Sequence, residues 1–145
     1  MPGCTALCIL QGGKLETCSQ TSLKFHETVT YDEEYNGLVT DAEEGDRLAA
    51  KLSNGKRILF HRHHGIMVSA ASVAEAIDDI YYLERAAQLQ VLAMSTGTPL
   101  KIVERADEIT KQFRPGSEGA GNAEKHFAAL QRSLKDPRYG ESLQV

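Results

Sequence analysis

The fold is decided by residues 57–94, which have the sequence RILFHRHHGIMVSAASVAEAIDDIYYLERAAQLQVLAM. Two short apolar runs, 57–60 and 66–68, lie on either side of a histidine-rich segment at 61–65. Short apolar runs that are interrupted by a polar, glycine-containing segment are typical of strands that meet at a turn. We therefore predict a pair of strands joined by a histidine-rich turn.

A long helix is predicted directly after these strands. Ser72 is a natural N-cap, and Glu75 at the third helical position completes a capping-box pattern. One helical face then continues at three- and four-residue steps as far as Met94, through Ile77, Ile80, Tyr81, Glu84, Ala87, Gln88 and Val91. Glu84 lies in this mostly apolar stripe. We expect it to pair with Arg62, Arg85 or a backbone donor, because a buried unpaired carboxylate is costly.

Ahead of this stretch, the sequence predicts two helices and two strands. A two-turn helix begins at Cys4 or Thr5 and stops at the glycine pair 12–13. It must pack on other elements, because isolated helices shorter than about 12 residues are marginal in water. The remaining elements are strands over 15–18 and 24–31, a solvated acidic loop at 32–34, and a helix started by Asp41 with Glu44.

After the long helix, the chain is predicted to end in a separate helical segment. A short helix covers about 107–113, and a glycine-rich linker follows at 115–121. Asn122 then caps an amphipathic helix with Phe127, Leu130 and Leu134 on one face. The predicted organisation is a main domain over 1–114, a linker over 115–121, and a C-terminal helix and tail over 122–145.

The composition disfavours several classes of protein. The chain has 145 residues, with 16 Lys plus Arg against 20 Asp plus Glu, whereas nucleic-acid binders normally present a basic face. No apolar run approaches the roughly 18 residues of a membrane-spanning helix. Cys4, Cys8 and Cys18 lack the spacing of a zinc site or a disulfide framework, so we expect Cys4 and Cys8 to be small core residues. These features predict a soluble, cytoplasmic domain with no nucleic-acid partner and no membrane insertion.

The block around His64 resembles the class II aldolase and adducin family. The resemblance rests on the His64-Gly65 step followed by apolar residues, on a V-x-E-A helix start at 73–76, and on a Y-x-L-E-R-A helix centre at 81–86. The segments 31–38 and 134–139 are also similar to the family. The resemblance implies an α/β (α+β-like) sandwich, with helices packed on a mostly antiparallel sheet. This chain would be the C-terminal half of that domain, truncated at the N-terminus.

The resemblance also implies a metal site. The family holds a divalent metal with three histidines, and His64 matches the last of them. The other two belong to a His-x-His motif that would fall at or before Met1, and the catalytic glutamate lies further upstream. Because a catalytic metal usually needs three protein ligands, we expect the chain alone to be an incomplete catalyst. Zinc is the expected ion, with manganese and iron as alternatives, since a single imidazole suits all three.

Three further residues are candidates for this site. His61 and His63 could replace the two absent histidines. In an extended strand they point to one face and His64 to the other, so joint binding requires a break at His63. The plainer interpretation is that both are partly exposed polar residues near a strand end. Tyr139 could approach a neighbouring subunit's site, as C-terminal tyrosines do in some aldolases, or it could be a flexible-tail residue without that role.

Two functions are therefore expected. The first is that of a metal-dependent lyase that catalyses aldol cleavage or decarboxylation of a small-molecule carbonyl substrate. The alternative is a non-catalytic, adducin-like module for oligomerisation and protein contacts, since a domain that lacks some of its strands exposes a sheet edge. The resemblance also implies a homo-oligomer, a tetramer in the family, or a partner that supplies the N-terminal half.

Overall fold

The computed structural model describes residues 1–38, 41–113 and 121–134. Their elements are, in chain order, α1 (Pro2–Ile9), α2 (Gln20–Leu23), β1 (Val29–Asp32), α3 (Ala42–Lys51), β2 (Ile58–His61), β3 (Gly65–Val68), α4 (Val73–Met94), α5 (Ala106–Ile109), which continues as a 3-10 turn over Thr110–Phe113, and α6 (Ala123–Ser133). The strand pair around the histidine-rich segment and the long helix after it are both as predicted.

The three strands form one mixed sheet in the order β1-β2-β3. β2 and β3 are antiparallel and pair His61 with Gly65, as expected for strands joined by a short turn. β1 and β2 run parallel, with Val29 opposite Ile58, because α3 provides the crossover between them. The predicted α/β fold with helices packed on a sheet is confirmed. In the described part of the chain the sheet is mixed rather than mostly antiparallel.

The hydrophobic core lies between the sheet, α1 and α4. Its buried side chains are Cys4, Leu7, Cys8, Phe25, Ile58, Phe60, Leu83 and Ala87. Cys4 and Cys8 are buried core residues, as predicted. α1 packs against α4 and β3, which gives this two-turn helix the tertiary support that its length requires.

α4 buries a different face from the predicted one. Ser72 caps it and accepts the N–H of Glu75, as predicted, but the Glu75 carboxylate accepts the N–H of Ala71 instead of closing the capping box. Its buried positions are Ala74, Asp78, Asp79, Leu83, Ala86, Ala87 and Gln90, of which only Ala87 belongs to the predicted stripe. The buried face is rotated because three polar side chains on it find partners from other elements, which removes the penalty for burying them.

Glu84 pairs with backbone donors at the start of α1, one of the outcomes expected for it. Its carboxylate accepts the N–H of Gly3 at 2.8 Å and the N–H of Cys4 at 3.0 Å. A helix leaves the N–H groups of its first turn unpaired, and its dipole favours a negative charge there. Burial acts to raise the pKa of Glu84, but these backbone hydrogen bonds, together with those from the side chains of Cys4 and Gln88, outweigh it and lower that pKa. A Cβ on Gly3 would lie 2.5 Å from the backbone N of Gln88, so the two helices are in close contact.

The strand predicted over 15–18 is wrong. Its first two backbone N–H groups bond to side chains instead of to a neighbouring strand. The N–H of Leu15 donates to Tyr31 Oη at 3.0 Å, and the N–H of Glu16 donates to Gln90 Oε1 at 2.8 Å. This segment is therefore an irregular connection held against β1 and α4.

The prediction for 24–34 is correct only in part. Ser19 caps α2, and Glu27 then takes a left-handed φ of +69°, so that the strand begins only at Val29. The acidic run after it is not a solvated loop throughout, because Asp32 is 1 % exposed. Its partners, described below, come from α3.

The C-terminal helix is confirmed, although Leu134, which was predicted on its apolar face, is the C-cap residue and is exposed. Asn122 caps α6 by accepting the N–H of Lys125 at 2.9 Å, and α6 packs against α4. Most of the predicted linker at 115–121 and the tail with Tyr139 lie outside the described residues, and the division into 1–114, 115–121 and 122–145 stays a prediction. Among the helices that the structure describes, none is both long and apolar enough to cross a membrane.

Candidate functional site: the histidine turn

β2 and β3 are joined by a tight connection, and we call residues 61–65 the histidine turn. His63 has a φ of +59° and Gly65 a φ of +145°, and the N–H of His64 donates to the carbonyl of His61 at 3.1 Å. A positive φ is uncommon for residues with a side chain, although histidine is among those enriched there. The strand therefore breaks at His63, which is the break that joint binding by the histidines would require.

His64 is presented at the exposed side of this turn. Its ring packs against the ring of His61, with 5.4 Å between the centroids. Within the described residues, neither ring nitrogen of His64 has a hydrogen-bond partner. Neutral imidazole is the commonest metal ligand in proteins, so the residue implied by the resemblance is free to serve as one.

His61 lies beside a buried carboxylate. It is 5 % exposed, and its Nε2 has no hydrogen-bond partner in the described parts of the chain. This nitrogen is 3.5 Å from Oδ2 of Asp32, which is too far for a good hydrogen bond. The interpretation of His61 as a partly exposed residue is therefore wrong, because the end of β2 is covered by Asp32 and by the ring of His64. A buried polar atom without a partner marks unused hydrogen-bonding capacity.

Asp32 is held by two cations from α3. Arg47 donates to both carboxylate oxygens, at 2.9 and 2.7 Å, and Lys51 Nζ lies 3.2 Å from Oδ1. The Arg47 hydrogen bonds, with help from Lys51, outweigh the effect of burial and lower the pKa of Asp32 to about 2. Sequence reasoning missed this cluster. Its only local signal was the four-residue spacing that places Arg47 and Lys51 on one face of α3.

The other side of the histidine turn contacts the end of α1. The N–H of His63 donates to the carbonyl of Cys8 at 3.1 Å, and the thiol of Cys8 donates to the carbonyl of Gly65 at 3.1 Å. Burial raises the pKa of this thiol to about 11, so it is protonated and can donate at neutral pH. Sequence reasoning assigned Cys8 to packing alone, and the 57 residues between Cys8 and Gly65 leave no local signal of the contact.

His63 is exposed, as the plainer interpretation predicted, and it is engaged by neighbours. Arg62 Nε donates to its Nε2 at 3.2 Å, and the ring of Tyr35 meets it edge-on, with 5.6 Å between the centroids. Its side chain is therefore less available than that of His64 for a ligand.

The described residues do not by themselves form a complete metal site. No group of three His, Cys, Asp or Glu side chains within them is placed to hold an ion. His61 is adjacent to His64, but Arg47 and Lys51 lie just behind Asp32 and oppose a cation at the His61 Nε2. The turn fits one ligand position, that of His64, and a three-ligand site needs donors from outside the described ranges.

A second group of charged side chains, which we call the ion cluster, joins α4 to three other segments. Its members are Lys24, Arg57, Asp78, Asp79 and His126. Lys24 pairs with both carboxylates, Arg57 pairs with Asp79, and His126 Nδ1 lies 2.7 Å from Oδ1 of Asp78. Because every member is paired, this cluster is explained by its role in holding the elements together.

The fold matches those of known proteins. The chain is similar to an aldolase II superfamily protein from Pseudomonas syringae, with a TM-score of 0.76 and 32 % identity, over 92 % of this chain and 52 % of that one. It also has the fold of an L-fuculose 1-phosphate aldolase from Glaciozyma antarctica. That match has a TM-score of 0.71 and 19 % identity, and it covers 90 % of this chain and 48 % of that one.

Sequence comparisons point the same way. A class 2 aldolase-like protein of Caulobacter vibrioides is 37 % identical over 86 residues, which is 57 % of this chain and 33 % of that protein. An adducin-related protein of Schizosaccharomyces pombe is 30 % identical over 117 residues, which is 74 % of this chain and 32 % of that protein. The chain thus spans about a third of these curated relatives and about half of the solved structures. A family model described as the class II aldolase and adducin N-terminal domain matches residues 1–91, and the chain belongs to this family.

Proposed function

We propose that this chain contributes the histidine turn to a metal-dependent lyase site of the class II aldolase type. The reaction is aldol cleavage or decarboxylation of a small oxygenated carbonyl compound. The observation that carries the proposal is the state of His64, whose ring is exposed, has no hydrogen-bond partner in the described residues, and lies on a turn held from two sides. The fold shared with a fuculose-phosphate aldolase is consistent with this chemistry.

In this proposal His64 supplies one imidazole to a divalent ion, with zinc as the first candidate and manganese or iron as alternatives. Such an ion, when bound, polarises a carbonyl oxygen as a Lewis acid. The other ligands and an acid–base group come from residues outside the described ones or from a second copy in a cytoplasmic homo-oligomer. Tyr139 is the residue that the tail would add.

Metal binding by matched variants tests this proposal. The purified protein is dialysed against zinc, manganese or ferrous iron, and bound metal is measured by atomic emission for the wild type, His64→Ala and His63→Asn. Asparagine is the control substitution because it tolerates the left-handed φ of position 63. We expect the wild type and His63→Asn to bind one of these ions and His64→Ala to lose most of it.

Two outcomes contradict the proposal. One is a wild-type protein that binds none of the three ions. The other is a His64→Ala variant that retains as much metal as the wild type, since the ion would then be held elsewhere.

A non-catalytic oligomerising module is the second candidate. It is favoured by exposed apolar side chains along α1, α4 and the segment after α4, namely Ile9, Leu89, Leu92 and Ile102. The similarity to an adducin-related protein is consistent with it. Light scattering on the metal-free protein separates the two candidates. A defined oligomer with no bound metal supports the module, and metal uptake that depends on His64 supports the lyase.

A further inference from the structure

We propose that Cys8 is a positioning residue that sets the orientation of His64. The inference rests on the proposed function, because it concerns how the turn presents the ligand that this function requires. It assigns to a buried cysteine of α1 a role that packing alone does not explain.

Cys8 contacts the residue on each side of His64. Its carbonyl accepts the N–H of His63 at 3.1 Å, and its thiol donates to the carbonyl of Gly65 at 3.1 Å. Both contacts link α1 to the same three-residue stretch, and His64 is the residue between them. Two hydrogen bonds from one anchor restrict the 62–63 and 65–66 peptide planes, which enclose residues 63–65, and this limits the conformations that the backbone of His64 can adopt.

The turn needs such an anchor, because its backbone is not in a relaxed conformation. His63 has a φ of +59°, a region that costs free energy for residues with a side chain and persists where surrounding contacts enforce it. The C-terminal end of α1 also has unpaired groups, since the last carbonyls of a helix lack hydrogen-bond donors within it. Cys8 is the second-last residue of α1, and its carbonyl is one of these. The hydrogen bond from the His63 N–H to the Cys8 carbonyl both pairs this carbonyl and holds the turn in its conformation.

The anchor is itself held in place. At the other end of α1, the Glu84 carboxylate accepts the N–H groups of Gly3 and Cys4, and Gly3 packs against the backbone of α4. α1 therefore connects α4 to the histidine turn, with a polar contact at each end. A short helix fixed in this way transmits its position to the turn.

The donor group at position 8 is what the inference depends on, so its test compares alanine with serine. Cys8→Ala removes the donor, whereas Cys8→Ser keeps an O–H that can reach the carbonyl of Gly65. Zinc affinity is measured by competition with a chromophoric chelator, and the free energy of unfolding is measured in urea for the same samples. Cys4→Ala is the matched control, because Cys4 is a buried cysteine on the same helix without a contact to the turn.

We expect Cys8→Ala to weaken zinc binding about tenfold or more, the usual effect of removing a group that orients a ligand. Cys8→Ser is expected to stay within about threefold of the wild type, although a buried hydroxyl is no more favourable for stability than alanine. Cys4→Ala is expected to lower stability and leave zinc affinity unchanged. An order of zinc affinities that differs from the order of stabilities is the signature of positioning.

The inference is overturned if Cys8→Ala binds zinc as tightly as the wild type, or if affinity follows stability across the three variants. A wild type that binds none of the three ions would contradict the proposed function first. In that case amide hydrogen exchange of His63 and His64 still decides the role of Cys8. Exchange that is faster in Cys8→Ala than in Cys8→Ser supports positioning of the turn, and equal exchange refutes it.

Discussion

The two groups of buried carboxylates in this molecule differ in how completely they are paired. In the ion cluster, Asp78 and Asp79 share Lys24, Arg57 pairs with Asp79, and His126 contacts Asp78 from α6. At the histidine turn, Asp32 is held by cations from α3, but the neighbouring Nε2 of His61 has no partner within the described residues.

This difference separates a structural cluster from a candidate functional one. Burying charged groups costs free energy unless they are paired and hydrogen-bonded. The ion cluster meets that condition and holds α4 against the start of β2, the end of α2 and α6. The histidine turn meets it only in part, and beside its unpaired nitrogen it presents an exposed imidazole. Incomplete pairing is the feature that makes the histidine turn the candidate site.

The largest effect on stability is expected from breaking the ion cluster with Asp79→Ala. This change leaves Arg57 and Lys24 without their shared partner, and removal of one member of a buried pair typically costs about 3 kcal/mol. Urea denaturation at pH 7 measures the loss. Asp107→Ala is the control, because its side chain is exposed and its pairing with His26 is in contact with solvent.

If the ion cluster is structural, breaking it should lower stability without changing metal binding at the histidine turn. Below its melting temperature, the Asp79→Ala protein should bind zinc through His64 as the wild type does. An Asp79→Ala variant that is as stable as the wild type, or one that is folded but has lost zinc, would show that the ion cluster is not simply structural.

A smaller effect, about 2 kcal/mol, is expected from acid titration of Asp32. The pKa of Asp32 is lowered from 3.8 to about 2 in the folded protein, so the unfolded chain takes up this proton first as the pH falls. The contribution of Asp32 to stability is therefore fully present above about pH 4 and is lost between pH 4 and pH 2.

The difference between the wild type and Asp32→Asn isolates this contribution, because other carboxylates of the chain titrate in the same range. Urea midpoints at pH 6 and pH 2.5 should differ by less in Asp32→Asn than in the wild type. Asp46→Asn, on the exposed side of α3, should behave like the wild type. If the urea midpoint of the wild type and that of Asp32→Asn fall by the same amount between pH 6 and pH 2.5, the α3 cations do not stabilise the charged form of Asp32.

Several features of the fold could be predicted from the sequence alone. The histidine turn, the Ser72 cap of α4 and the Asn122 cap of α6 all follow from signals within a few residues, and the structure contains each of them. The same holds for the expected pairing of Glu84 with backbone donors.

The features that were missed depend on residues far apart in the chain. Asp78 can be buried because it forms an ion pair with Lys24, which is 54 residues away in the chain. No local sequence pattern indicates that pairing. The strand expected over 15–18 does not form because its N–H groups bond to Tyr31 and Gln90, at separations of 16 and 74 residues. Local propensity decides where helices begin, and tertiary partners decide which polar groups can be buried.

Glu84 provides the smallest and most specific test, because its partners are backbone N–H groups and the Gln88 amide, and not side-chain cations. Glu84→Gln keeps the shape and one acceptor oxygen but removes the charge at the start of α1, and a loss of about 1 kcal/mol is expected at pH 7. Because the pKa of Glu84 is lowered in the folded protein, this contribution is present above its ordinary pKa and is lost as the pH falls from there through the lowered pKa. The difference in unfolding free energy between wild type and variant should therefore be smaller at pH 3 than at pH 7, while the exposed control Glu104→Gln shows no difference at either pH. A gap of the same size at both pH values would mean that shape, and not charge, holds the helix that supports the histidine turn.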